Sequence, residues 1–218
     1  ATMQGIVKKT LISEFANIRN SGKICITLRD DDELIDVKKT NGDNLVLLGS
    51  DAGRMVKFNE DEIRVMGRTA SGVRGINLEE SKCICCEIVN EEDLILLVTE
   101  KGYGKQTYVR EFRQTKRGSK GVKALNITDK NGILVAVEII KPDKELVIMT
   151  DSGMTMRMPV DQISVLGRVT QGLRLIHLRD NQKVSAISLV DKEIESEDNN
   201  EDTTEVNNNT ESEDTTQE

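Results

Sequence analysis

"GRTASGVRGINL" spans residues 67–78, and "GRVTQGLRLIHL" spans residues 167–178. In each, an Arg stands four residues before a Gly and a second Arg two residues after it: Arg68, Gly72, Arg74 and Arg168, Gly172, Arg174. The pair belongs to a shorter period. Gly22, Gly72, Gly121 and Gly172 follow one another at 50, 49 and 51 residues. A second marker keeps the same rhythm: Gly5, Gly53, Gly102 and Gly153 are 48, 49 and 51 residues apart. Thr2, Ser50, Thr99 and Thr150 each stand three residues before one of these glycines. A period near 50 points to a blade or solenoid unit.

Within a unit the pattern is β. "LVLLGS", "LILLVT" and "LVIMT" are short branched-aliphatic runs bounded by Gly, Asp and Asn, the pattern of strands buried on both faces. "KICITL" and "VRGINL" alternate as half-exposed strands do. Turn signals such as "TNGD", "SDAG" and "TDSG" separate about four strands per unit, the arithmetic of a propeller blade. The expected fold is all-β and propeller-like, with about four blades at 1–50, 51–100, 101–150 and 151–190. The first residues, "ATMQG", line up with "VTEKG" and "MTDSG", so we expect a piece of a longer repeat array. Each marker Gly is either a turn residue with positive φ or the point where backbone approaches a ligand; the two roles are compatible.

Aromatics make up 2% of the chain and Trp is absent, so the core must be aliphatic. No apolar run reaches the roughly 18 residues of a membrane span, and the N-terminus carries no apolar signal region. Three of the four cysteines crowd into "CICC", which suits buried strand thiols in a reducing cytoplasm better than a disulfide framework or a paired zinc site. Residues 191–218 hold 12 acidic residues and one Lys, so the remaining 26 acidic and 29 basic residues give 1–190 a net charge of +3. The tail has too few apolar residues to fold, and we expect it to be disordered. Tethered beside a basic body, it could compete for that body with a polyanion, in which case deleting 191–218 would tighten binding at low salt.

The basic residues follow the repeat. Arg68, Arg117 and Arg168 stand four residues before the loop Gly, with Arg19 in unit one three before; Arg74, Lys123 and Arg174 stand two after, with Lys23 one after. Unit three adds Lys116 and Lys120 in "QTKRGSKGVK". Further basic residues open each unit: Lys8 and Lys9, Arg54 and Lys57, Lys105 and Arg110, and Arg157. Equivalent loops of side-by-side units would line one edge and form a positive stripe. Duplex DNA carries a charge every ~1.7 Å of its axis, so such a stripe could hold a bent duplex without reading bases. There is no recognition-helix pattern, and aromatics are too few for single-strand stacking.

These loops, with their flanks "FNEDEIRVMGRTASGVRGINL" (58–78) and "MPVDQISVLGRVTQGLRLIHL" (158–178), resemble the C-terminal domain of DNA gyrase A. "KKTLISEFANIRNSG" (8–22) and "EKGYGKQTYVREF" (100–112) are similar to that family's blade openings. The resemblance covers roughly residues 1–190 and implies a β-pinwheel whose neighbouring blades exchange strands. It implies a basic rim that wraps double-stranded DNA in support of negative supercoiling. It also implies partnership with the rest of gyrase A and with gyrase B, in a heterotetramer that uses ATP and Mg. The family's Gln-Arg-Arg-Gly-Gly-Lys-Gly box has its nearest match here at Thr115–Gly121, a degenerate version. The related C-terminal domain of topoisomerase IV, and a propeller whose basic rim binds acidic proteins, remain alternatives.

No catalytic constellation stands out. His177 alternates as a surface residue, Tyr103 and Tyr108 lie in a hairpin opening, and no loop has the Lys-Ser/Thr of a P-loop. We expect a non-catalytic module with no cofactor, no metal and no membrane partner of its own.

Overall fold

The computed structural model describes residues 1–18, 20–179 and 181–192. Arg19, and all of the expected tail except Asp191 and Lys192, therefore lie outside the described residues. The regular structure is all β apart from four short 3-10 turns. In chain order the strands are β1 (Ile6–Val7), β2 (Leu45–Ser50), β3 (Arg54–Asn59), β4 (Val73–Arg74), β5 (Cys83–Val89), β6 (Leu94–Thr99) and β7 (Tyr103–Tyr108). They continue with β8 (Val122–Lys123), β9 (Leu134–Ile139), β10 (Lys144–Thr150), β11 (Thr155–Pro159), β12 (Leu173–Arg174) and β13 (Val184–Asp191).

Four antiparallel sheets result. β1 pairs β4, and the orders β5-β2-β3-β8, β9-β6-β7-β12 and β13-β10-β11 form the others. The apolar runs become the middle strands β2, β6 and β10. Successive side chains of a strand point to opposite faces, and here both faces are covered. Val46 and Leu48 enter a core shared with Val7 of the first sheet, whereas Leu47 enters one shared with Ile95 and Leu97 of the third. Leu96 and Val98 turn the other way, toward Leu146 and Ile148 of the fourth. Double-sided burial between stacked blades is why "LVLL" and "LILL" are continuously apolar.

The sheets do not coincide with the 50-residue units. The limits 50/51, 100/101 and 150/151 fall in hairpin turns, between β2 and β3, β6 and β7, and β10 and β11. Three of the four sheets also take a last strand from the following unit: β4 sits on β1, β8 on β3 and β12 on β7. The period therefore marks an exchange rather than a boundary. The first sheet is reduced to β1 and β4, with isolated bridges between Thr2 and Leu34 and between Lys9 and Val65. β13 continues to Asp191, one residue past the expected limit.

The two glycine markers meet in this exchange. All eight have positive φ, from 69° at Gly53 to 102° at Gly72. The Gly53 carbonyl accepts from the amides of Ala124 (2.8 Å) and Leu125 (3.3 Å), three and four residues after Gly121. Gly5 accepts likewise from Gly75 and Ile76, and Gly102 from Leu175 and Ile176. At Gly121 a Cβ would stand 2.2 Å from the Met55 carbonyl oxygen, so only glycine lets this loop close on the preceding blade. Approach to a neighbouring blade is thus what the missing Cβ serves there.

"KICITL" departs from expectation. Residues 23–28 form no strand. Later units place the equivalent residues on the hairpin one period earlier, and no unit one period before Gly22 lies within the chain. The buried thiols are neutral packing groups: burial pushes Cys83 up to about 12 and Cys86 up to about 11. His177 is exposed.

Candidate nucleic-acid interface

β4, β8 and β12 each lie at the end of a sheet order, so each forms an edge of one of three consecutive blades. Each carries one basic residue with an exposed side chain: Arg74, Lys123 and Arg174. Their cross-strand neighbours are Ile6, Arg54 and Tyr103. Arg54 is exposed too and donates to the Gly121 carbonyl at 3.4 Å, so the second blade's edge presents two cations side by side.

Arg68, Arg117 and Arg168 run between the loops. Arg117 Nη1 donates to the Arg74 carbonyl at 3.1 Å, and Arg168 Nη1 to the Lys123 carbonyl at 2.6 Å. Arg68 Nη1 donates to the Ile24 carbonyl at 2.9 Å. In every case the acceptor is the residue two after the preceding loop Gly, so these arginines are staples that chain the loops in series. Arg117 is held further by the Glu62 carbonyl, which its Nε reaches at 2.9 Å. A guanidinium has five N–H donors, so a half-buried staple can still offer some to a phosphate.

Two expected contacts must be withdrawn from this surface. Lys57 and Lys105 are only 2% and 0% exposed. Lys105 donates to the carbonyls of Gly167 (2.8 Å) and Arg168 (2.7 Å) and to the Thr170 hydroxyl (3.2 Å), holding the fourth loop from beneath. Burial, reinforced by Arg168, pushes its ammonium down to about 8. Lys8 does the same under the second loop, donating to the Arg68 and Cys25 carbonyls, and burial lowers it as well. Lys57 pairs with Glu91 at 2.7 Å and donates to the Val109 carbonyl at the start of the next blade's 3-10 turn. Lys9 donates to the Glu60 carbonyl and Gln106 to that of Val160, at the equivalent places. A count of basic residues overlooks Gln106, which is neutral yet makes the same contact as Lys9 and Lys57.

The remaining candidates are spread out. Lys116 and Lys120 are exposed beside Arg113, around a hollow of about 380 Å³ in the third loop, and Lys120 pairs with Glu79. Arg110 pairs with Glu92 and lies 4.0 Å over the Tyr108 ring. Arg157 pairs with Glu145 on β10, and Lys23 donates to the Ala16 carbonyl. The structure brings Arg117 to Arg74, and Arg168 and Arg54 to Lys123.

Comparison with known proteins agrees with this architecture. The family model described as "DNA gyrase C-terminal domain, beta-propeller" matches residues 1–41, 44–82, 93–141 and 144–191. The DNA gyrase A protein of Staphylococcus aureus (strain NCTC 8325 / PS 47) is 41% identical over 202 residues, covering 91% of this chain and 23% of that protein. Its Staphylococcus epidermidis (strain ATCC 12228 / FDA PCI 1200) counterpart is 42% identical over 196 residues, covering 88% and 22%. The chain thus spans under a quarter of the length of these relatives. Among solved structures, the C-terminal domain of DNA topoisomerase IV superposes with a TM-score of 0.81 at 25% identity, covering 88% of this chain and 60% of that one. The DNA gyrase A C-terminal domain gives 0.76 at 25% identity, covering 87% and 64%. With a matching family model across nearly all of residues 1–191, this chain belongs to the DNA gyrase C-terminal domain family.

Proposed function

We propose that this domain binds duplex DNA along its outer blade edges, without reading bases, and bends it. It would do so as the non-catalytic, DNA-wrapping part of a gyrase A protein that acts with gyrase B in ATP-dependent negative supercoiling. The ATP and Mg of that reaction would be bound elsewhere in the heterotetramer. The observation that carries this is the series of edge strands, each with an exposed cation, whose loops are joined by Arg117 to Arg74 and by Arg168 to Lys123. The outer edges of propeller blades follow its circumference, so a duplex touching several must curve. Bending a 20–30 bp site costs on the order of 1–6 kcal/mol, which several phosphate contacts at once can offset. The curated relatives, both named as DNA gyrase A, support the same reading.

The test compares duplexes of about 20 and about 150 base pairs at several salt concentrations. The long duplex should be strongly preferred. Substituting Arg74→Gln, Lys123→Gln and Arg174→Gln together should flatten the log–log salt slope by about 2.7, roughly 0.9 per lost phosphate contact. Equal binding of both lengths, or an unchanged slope, would overturn the proposal.

A further inference from the structure

Tyr103 breaks the repeat. Its counterparts opposite the edge strands are Ile6 and Arg54. It forms the floor of a hollow of about 420 Å³ that includes Lys101, Lys130, Arg174, Arg179 and Lys183. Lys101 lies in the turn between β6 and β7, Lys130 in the turn before β9, and Arg179 and Lys183 in the connection from β12 to β13. Two units thus converge on one aromatic ring.

Among the described residues, the chemistry of the hollow is one-sided. The Tyr103 side chain is buried, 6% exposed, yet its hydroxyl oxygen accepts from Arg174 Nη2 at 2.9 Å and Nε at 3.3 Å. With its oxygen used as acceptor, its O–H donates to no described residue. Lys130 and Arg174 both stand 5.5 Å from the ring centroid, within cation–π range. Neither Lys130 nor Arg179 donates a side-chain hydrogen bond to a described residue. Lys183 pairs with Glu100 at 2.7 Å, and Lys101 donates to the Asp129 carbonyl, each with further N–H donors to spare. No carboxylate is among the described residues lining the hollow. A concentration of donors around an uncommitted phenol O–H suits an anion with several acceptor oxygens.

We propose that this hollow is a phosphate-binding site, with the Tyr103 hydroxyl, Lys130 and Arg179 as its ligating donors and Arg174 fixing the phenol. The phosphate could belong to a DNA backbone leaving the edge or to a free di- or triphosphate; the chemistry is the same. Only the DNA source rests on the duplex-binding reading above.

The experiment uses the full 218-residue chain. Because Trp is absent and Tyr103 and Tyr108 are the two tyrosines, Tyr108→Phe makes Tyr103 the reporting fluorophore. Pyrophosphate should change its emission saturably. Lys130→Gln with Arg179→Gln, both exposed and outside the edge series, should weaken that binding about tenfold or more. In parallel, the same double variant is titrated with the long duplex. A salt slope lower by about 1.8 assigns the phosphate to DNA, two contacts at about 0.9 each. Saturable pyrophosphate binding with an unchanged slope assigns it to a free phosphate. No response to pyrophosphate and no change in slope overturns the site. If the edge variant also leaves duplex binding intact, the DNA reading falls separately, and the pyrophosphate arm still decides the hollow.

Discussion

Two glycines with the same backbone angle separate a turn requirement from a blade-contact requirement. Gly22 has φ +75° and Gly121 φ +71°. Alanine in the left-handed region costs about 1–2 kcal/mol at either position. A Cβ at Gly22 has nothing within 4 Å, so Gly22→Ala should cost no more than that. At Gly121 the Cβ would lie 2.2 Å from the Met55 carbonyl oxygen, a backbone atom that cannot swing aside. β8 must then withdraw from β3. That releases the Ala124 and Leu125 amides from the Gly53 carbonyl, about 1 kcal/mol each. It also begins to uncover Leu125, now 0% exposed, a side chain whose full burial contributes about 1.5–3 kcal/mol. Gly121→Ala should therefore cost about 4 kcal/mol or more in urea unfolding followed by circular dichroism. It should also shift Lys123 and lower the duplex salt slope. Equal losses for the two variants would refute the view that the repeat glycines serve blade contact.

Two further outcomes are expected. Lys105 releases its proton near 8 in the folded chain and near 10.5 when unfolded, so unfolding takes up a proton between those values, and its contribution to stability rises with pH across that window. The stability of the native chain minus that of Lys105→Met should climb from pH 8 to 10, by at most about 1.4 kcal/mol per pH unit; a constant difference would exclude this. Arg117→Lys keeps the charge but loses the fork that reaches both the Arg74 and Glu62 carbonyls. It should lower the urea midpoint by the equivalent of about 1–3 kcal/mol with the salt slope unchanged; a lower slope at full stability would make Arg117 a phosphate ligand instead of a staple.

The sequence disclosed what depends on local pattern. The middle strands β2, β6 and β10 are legible because both faces of each are buried, which leaves an uninterrupted apolar run. The glycine period is legible because each marker needs positive φ. What depends on partners far along the chain was hidden. The edge strands are two residues long, and nothing in "VR", "VK" or "LR" says that they join the preceding blade. "KICITL" has the same local pattern and forms no strand, since its place on an earlier hairpin is not filled within the chain. Lys57 and Lys105 read as surface cations until Glu91, Gly167 and Arg168 are folded against them. Arg74, Lys123 and Arg174 read the same way in sequence, and the difference is that they stand on edge strands whereas Lys57 and Lys105 stand on the interior strands β3 and β7.

The staples make the edge series more than a row of charges. Arg117 donates to the carbonyl of Arg74 itself, and Arg168 to that of Lys123. Each bond that fixes the spacing of two loops therefore brings their cations together. In the free domain those like charges repel, and the carbonyls only partly compensate. A polyanion along the edge removes the repulsion while leaving the staples in place, so it should add most to stability where the loops are already held in series. The arginine at four residues before each loop Gly thus ties blade contact and charge placement to one residue. This explains why Arg68, Arg117 and Arg168 keep to the glycine period when the buried cations beneath them do not. Lys8 and Lys105 hold the second and fourth loops from below, yet the third has Val56 at that place, buried in apolar contacts. A loop can be held from beneath by more than one kind of side chain, whereas reaching the neighbouring carbonyl and facing solvent at once takes the arginine fork.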